Sequence, residues 1–296
     1  MKVAFAGLGN MGAPMAARLV AAGHELAVFD ANPEALARFS AGNACRHASD
    51  PADLVREAEA VVTMLPTSVI VGDLLDEALP ALRPDAIVVE MSSGVPAQTR
   101  SIAARVEAAG GRLVDAPVSG GVPRARDGSL AIMVGGDAAS IETIRPLLAA
   151  MGASILPTGT IGTAHAMKAL NNLVSAGGFL IGIEALLIGA RAGLDPAVMV
   201  DVLNASTGVN NSTQKKFKQF VLSRSFDAGF GLDLMLKDLT IAMQVADETE
   251  TAAPFAAHCR AMWAAARAML GAGQDHTAMA RLSETLAGQE LQPRSR

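Results

Sequence analysis

The stretch Gly159-Thr160-Ile161-Gly162-Thr163-Ala164-His165-Ala166-Met167-Lys168-Ala169-Leu170-Asn171-Asn172 divides this chain of 296 residues. Before it, apolar strand patterns alternate with helical ones; after it the patterns are almost purely helical. From Thr163 to about Ala192 no proline interrupts a run dominated by Ala, Leu, Ile, Met and Gly. A helix of roughly 30 residues is about 45 Å long, enough to run between two domains. Lys168 is its only Lys or Arg before Arg191, and Asn172, four residues on, falls on the same face. A lone amine on an apolar helix start is either a solvated edge residue or a proton-transfer group with a lowered pKa.

The first half settles which chemistry to expect. Lys2-Val3-Ala4-Phe5-Ala6 is a short apolar run, followed by Gly7-Leu8-Gly9-Asn10-Met11-Gly12 and a helical pattern from Pro14 to Ala22. This is G-x-G-x-x-G between a strand and a helix, the context that a dinucleotide site requires. Gly7 permits the tight turn, Gly9 lets backbone approach a pyrophosphate, and Gly12 lets helix pack on strand. The phosphates then lie at the helix start, on Asn10, Met11 and Gly12, where free N–H groups favour negative charge. The next strand ends at Asp30, about 20 residues on, where a carboxylate accepts ribose hydroxyls and repels a 2′-phosphate. NAD is therefore expected rather than NADP, although Asp30 equally suits a simple turn before Asn32-Pro33.

Further strands are predicted at Ala60–Pro66, Ala86–Gly94, Arg112–Asp115 and Leu130–Gly136, with helices between them. That alternation implies a parallel-rich sheet covered on both faces, whose ligands sit beyond the strand C-terminal ends. Leu65, Pro66 and Ser93 lie at those ends and are cofactor-contact candidates. Asp115-Ala116-Pro117-Val118-Ser119-Gly120-Gly121 follows another strand end; Ser119 and the amides of Gly120 and Gly121 could cradle a carboxylate, or form a plain flexible turn. The second half reads as helices from Ala197 to Asn204, from Leu232, over Pro254–Leu270 and over Thr277–Ala287. Ser206–Ser212 reads as a polar loop, Lys215, Lys216 and Lys218 as a solvated helix face, and residues 292–296 as a frayed tail.

Composition narrows the class. A net charge of −5 argues against a nucleic-acid partner. Two cysteines, Cys45 and Cys259, and five scattered histidines show no metal-ligand spacing, so no metal site and a reducing cytoplasm are expected. No 18-residue window is free of both charge and helix breakers, so neither a membrane span nor a targeting segment is expected. Tyrosine is absent, which excludes a tyrosine acid or base.

Four motifs in this order, the Gly7–Gly12 turn, Asp115–Gly121, Gly162…Lys168…Asn172 and Lys237-Asp238-Leu239, together resemble the β-hydroxyacid dehydrogenase family. That family includes 3-hydroxyisobutyrate dehydrogenase and tartronate semialdehyde reductase. The resemblance implies an α/β N-terminal Rossmann domain (residues 1–161), a long interdomain helix (about 162–192) and an all-α C-terminal domain within 162–296 that mediates a homodimer or homotetramer. It places the catalytic lysine on Lys168 and its partner on Asn172. It places the substrate carboxylate on Ser119, Gly120 and Gly121, and a lysine that closes over cofactor and substrate on Lys237. Burial and the second cation at Lys237 would lower the Lys168 pKa from about 10.4 toward the working range of a general base. Glu90 stands where many members carry Asp. The loop Ser206–Asn211 lacks the Arg and aromatic residue of the 3-hydroxyisobutyrate enzymes, which suits a polar or hydroxylated acid. Two other readings are a non-catalytic dinucleotide-binding module and an imine reductase, the latter normally marked by loss of the lysine.

Overall fold

The computed structural model describes residues 1–292; the tail expected to fray lies, from residue 293, outside the described residues. Two compact units follow one another, Met1–Lys168 and Ala169–Arg296. The first alternates β1 (Lys2–Ala6), α1 (Gly12–Ala21), β2 (Glu25–Phe29), α2 (Pro33–Ser40), β3 (Arg46–His47), α3 (Pro51–Val55), β4 (Ala60–Thr63) and α4 (Ser68–Ala78). It continues with β5 (Ile87–Glu90), α5 (Pro96–Ala108), β6 (Arg112–Asp115), β7 (Val118–Ser119), α6 (Gly121–Asp127), β8 (Leu130–Gly135), α7 (Ala138–Met151) and β9 (Gly152–Gly159).

The sheet order is β3-β2-β1-β4-β5-β6-β8-β7, with β9 added on β8. From β3 to β6 every pairing is parallel, in the doubly wound order of a dinucleotide-binding fold. Beyond β6 the sheet departs from the purely parallel arrangement that alternation suggests: β8 runs antiparallel to β6 and β7, and parallel to β9. Residues alternate between two cores with a period of two. Val3, Phe5, Val62 and Val89 enter one core, and Ala4, Ala6, Val61 and Val88 enter the other. Because both faces are covered, the strands read as continuous apolar runs.

α8 (Thr163–Arg191) is a single helix that starts in the first unit and continues into the second. By length and composition it is apolar enough to cross a membrane, contrary to the expectation that no such segment exists, and half of its most apolar window is buried. The glycines that read as breakers are packing seats instead. A Cβ at Gly182 would lie 2.6 Å from the Phe217 ring, and one at Gly189 would lie 2.3 Å from Met199.

The second unit continues through α9 (Pro196–Asn204), α10 (Asn211–Lys215), a π-helical turn (Phe217–Leu222), α11 (Leu232–Glu248), α12 (Pro254–Leu270), a 3₁₀ turn (His276–Met279) and α13 (Ala280–Ala287). Its core is one cluster around Phe179, Phe217 and Trp263. The Phe179 ring centroid lies 5.4 Å from that of Phe217 and 5.9 Å from that of Trp263, within the range of favourable aromatic pairing.

Candidate active site

The first turn of the sheet has the geometry that its glycines imply. Gly7 adopts φ +98°, and a Cβ there would lie 2.3 Å from the Met64 carbonyl oxygen. A Cβ on Gly12 would lie 1.9 Å from the Gly7 carbonyl oxygen, so α1 rests directly on the turn. Gly9 is exposed, and a Cβ there would meet nothing within 4 Å. Asn10 and Met11 complete the turn, and Met11 precedes α1 without a side-chain cap; the Ala13 N–H donates to the Gly9 carbonyl at 3.0 Å and Pro14 has none, so an external acceptor would meet the amides before them. These residues fit an anionic pyrophosphate.

Asp30 lies at the end of β2. Its Oδ2 accepts the Leu8 N–H at 2.6 Å, and its Oδ1 accepts the Asn32 N–H at 2.8 Å. It therefore braces the glycine turn and shapes its own turn as well. Leu65, half-buried, and Pro66, exposed, follow β4, and Ser93 follows β5. The Leu65 N–H donates to Ser92 Oγ at 2.9 Å, tying the two strand ends together.

Ser119 belongs to β7, opposite Ala131, rather than to the flexible turn that sequence allows. Gly120 (φ +135°) and Gly121 (φ +69°) follow, both exposed. Lys168 is 8% exposed and stands in the second turn of α8, one turn before Asn172, which is 7% exposed. In the second unit, Asn172 Nδ2 donates at 2.6 Å to Oδ2 of Asp238, itself 2% exposed. Lys237 Nζ lies 3.7 Å from the other carboxylate oxygen of Asp238. Asp238 thus joins two predicted site residues, Asn172 and Lys237. It lay within a recognised motif, but its role needed the fold to bring α11 against α8.

A second group that sequence reading missed lies under the first turn of α8. His165 is buried between Glu90 and Asp115, both buried. Its Nε2 lies 2.8 Å from Glu90 Oε2 and 3.1 Å from the Ser92 carbonyl; its Nδ1 lies 2.7 Å from Thr99 Oγ1. The Thr99 hydroxyl donates to the Val95 carbonyl at 3.1 Å, so toward His165 it accepts. Both ring nitrogens lie within hydrogen-bonding reach of oxygens, surroundings that favour the protonated imidazolium over the neutral ring. Burial works against that charge, but the Glu90 and Asp115 carboxylates prevail and raise the His165 pKa. Burial likewise opposes ionisation of Glu90, yet His165 and the Ser92 N–H hold its carboxyl below the usual range. Burial raises Asp115, only partly offset by His165 and backbone donors. Asp115 also accepts the Gly162 and His165 N–H groups at 2.8 and 2.9 Å, capping α8. The strand ends β5 and β6 therefore fix the start of the helix that carries Lys168.

Among the described residues no cluster of His, Cys, Asp and Glu could hold a metal ion. A doubly wound sheet with bare backbone offered to a pyrophosphate, and a buried lysine on the helix leaving it, defines an NAD(P)-dependent oxidoreductase.

Comparison with known proteins makes that assignment specific. Residues 2–162 match the family model for the NAD binding domain of 6-phosphogluconate dehydrogenase. Residues 162–283 match the family model described as NAD-binding of NADP-dependent 3-hydroxyisobutyrate dehydrogenase. Mitochondrial 3-hydroxyisobutyrate dehydrogenase of Homo sapiens is 36% identical over 84% of this chain and 76% of its own length. A probable 3-hydroxyisobutyrate dehydrogenase of Mycobacterium bovis is 36% identical over 88% of this chain and 91% of its own. The solved structure of Mycobacterium tuberculosis 3-hydroxyisobutyrate dehydrogenase with L-serine superposes with a TM-score of 0.89 at 34% identity, covering 95% of this chain and 98% of that one. The chain belongs to the β-hydroxyacid dehydrogenase family.

Proposed function

We propose that this chain interconverts a small 3-hydroxy acid and its semialdehyde, using NAD and Lys168 as general acid and base. The observation that carries the reading is a buried lysine one helical turn from an asparagine whose amide is fixed by buried Asp238. The dinucleotide, when bound, supplies or accepts the hydride. In oxidation the neutral Lys168 amine takes the hydroxyl proton; in reduction its ammonium returns a proton to the forming alkoxide. Asn172 orients the amine or the substrate hydroxyl. Ser119, with the Gly120 and Gly121 amides, holds the carboxylate so that the reacting carbon is fixed before the chemical step. Lys237, beside Asp238, supports substrate and cofactor. Asp30 favours NAD because a carboxylate at the end of β2 repels a 2′-phosphate. A reducing cytoplasm suits the free thiols of Cys45 and Cys259.

A homodimer or homotetramer is part of the proposal. Val174, Ile181 and Ile188 are 76%, 56% and 71% exposed and recur at seven-residue intervals along α8. That spacing makes an apolar ridge suited to a second helix.

The test follows absorbance at 340 nm with NAD or NADP and a panel of 3-hydroxy acids. Lys168→Ala is expected to lower turnover by about a hundredfold to ten-thousandfold while dinucleotide binding is retained. Near-normal turnover of that variant would refute the role of Lys168.

A further inference from the structure

Lys216 is not on a solvated face, as sequence suggests, but is half-buried where α10 passes into the π-helical turn. α10 and this turn are fastened to α8 at two points. Asn210 caps α10, accepting the Ser212 and Thr213 N–H groups, and its Nδ2 donates to the Gly178 carbonyl at 3.5 Å. Phe217, fully buried, is seated on Gly182. Thus anchored, Lys216 reaches back so that Nζ lies 3.2 Å from Ser175 Oγ. Ser175 is three residues past Asn172 and seven past Lys168, so all three share one stripe of an otherwise apolar helix.

The neighbourhood gives Lys216 little in return for its desolvation. Among the described residues no carboxylate lies within ion-pairing distance of Nζ. Burial lowers its pKa to about 8, opposed only by the charge of Asp275. One turn earlier, Ser212 Oγ is buried and finds no hydrogen-bond partner among the described residues. A half-buried amine without a counterion costs stability, and a hydroxyl contact only partly offsets that cost. An anion arriving there would supply the missing charge.

We propose that Lys216, steadied by Ser175, is a specificity-determining residue that binds an anionic group at the end of the substrate remote from its reacting carbon. The inference rests on the reading of Lys168 and Asn172 given above and names the class of acid taken. Seven residues of helix separate Lys168 from Ser175, a rise of about 10 Å. A branched four-carbon monoacid carries no second anionic group for Lys216. The substrate is therefore longer, with its carboxylate and reacting hydroxyl at one end and a second carboxylate or a phosphate at the other.

Two measurements test this separately from hydride transfer. The first is calorimetric titration of the protein, saturated with NAD, by three unreactive probes: butyrate, glutarate and 3-phosphonopropionate. Wild type is expected to bind one of the two dianions at least tenfold more tightly than butyrate, and which dianion wins distinguishes carboxylate from phosphate. Lys216→Met is expected to weaken that dianion by about tenfold to a hundredfold, the worth of a charge-assisted bond. Lys216→Arg should recover part of the loss, and exposed Lys215→Met should change nothing. The second measurement compares kcat/KM for 3-hydroxyglutarate and 3-hydroxybutyrate, whose ratio should fall in Lys216→Met through KM. If Lys216→Met lowers the melting temperature but leaves the dianion-to-butyrate ratio intact, Lys216 is structural and the proposal fails. If glutarate or 3-phosphonopropionate binds through Lys216 while no 3-hydroxy acid is oxidised, the site stands and the reading of Lys168 falls.

Discussion

Gly9 and Gly12 should respond to the same added methyl group in opposite ways. At Gly12 the new Cβ would lie 1.9 Å from the Gly7 carbonyl oxygen, where contacts below 3.0 Å do not occur. The obstruction is backbone, so α1 and the turn must separate by roughly 1 Å. Overpacking of this kind costs about 1–3 kcal/mol of stability. At Gly9 the Cβ meets nothing within 4 Å and φ does not lie in the left-handed region, so Gly9→Ala should fold with stability within about 0.5 kcal/mol of wild type. The cofactor side reverses the comparison for Gly9. If pyrophosphate approaches the bare backbone there, the methyl displaces it from one or two charge-assisted N–H contacts, each worth about 1.5–3 kcal/mol. The dissociation constant for NADH should then rise at least about tenfold. Thermal melts give the first quantity and NADH fluorescence titration the second. Gly9→Ala binding NADH as wild type does would refute the placement of the pyrophosphate. Gly12→Ala melting like wild type would refute the tight packing of α1 on the turn.

The buried ion pair makes stability depend on pH. The His165 pKa is raised from 6.5, so its contribution is full below pH 6.5 and is lost as pH rises through the folded value. The Glu90 pKa is lowered from 4.5, so its contribution is present above pH 4.5 and is lost as pH falls through the folded value. Asp115, raised from 3.8, opposes stability once it ionises. The pair should therefore stabilise most between about pH 4.5 and 6.5. A melting-temperature difference between wild type and His165→Gln that stays flat from pH 6 to 9 would contradict the imidazolium assignment. In the second unit, Trp263→Ala empties the centre of the aromatic cluster and should cost about 3–5 kcal/mol by urea titration, and a loss under 1 kcal/mol would show that the site collapses.

What sequence made legible follows from local physics. The strands β1, β2, β4, β5, β6 and β8 were readable because burial on both faces leaves continuous apolar runs. The helices α8, α9, α11 and α12 were readable from proline, caps and composition. β3 and β7 were not, since two residues carry no period, and β9 was masked because most of its residues are not buried. The glycine turn was visible because each glycine answers a steric need at fixed spacing. His165 was not, although it lies in the stretch that divides the chain. Its partners Glu90 and Asp115 are 75 and 50 residues away, and only the parallel register of β5 and β6 brings their carboxylates to it. Lys216 failed for the opposite reason. Three lysines within four positions look solvated, but the chain leaves helical geometry at Lys216 (φ −130°), between α10 and the π-helical turn, and the Lys216 amine meets Ser175.

The packing around Gly94 limits how this scaffold can diverge. Any side chain there would approach the His165 ring and the Glu90 carboxylate to within 2.7–2.9 Å. That position is therefore closed to a side chain while His165 and Glu90 remain. Lys216 and its exposed neighbours Asn211, Gln214 and Lys215, which form no part of the sheet, carry no such veto. Descendants of this sequence should change what they accept there first, keeping the older chemistry untouched.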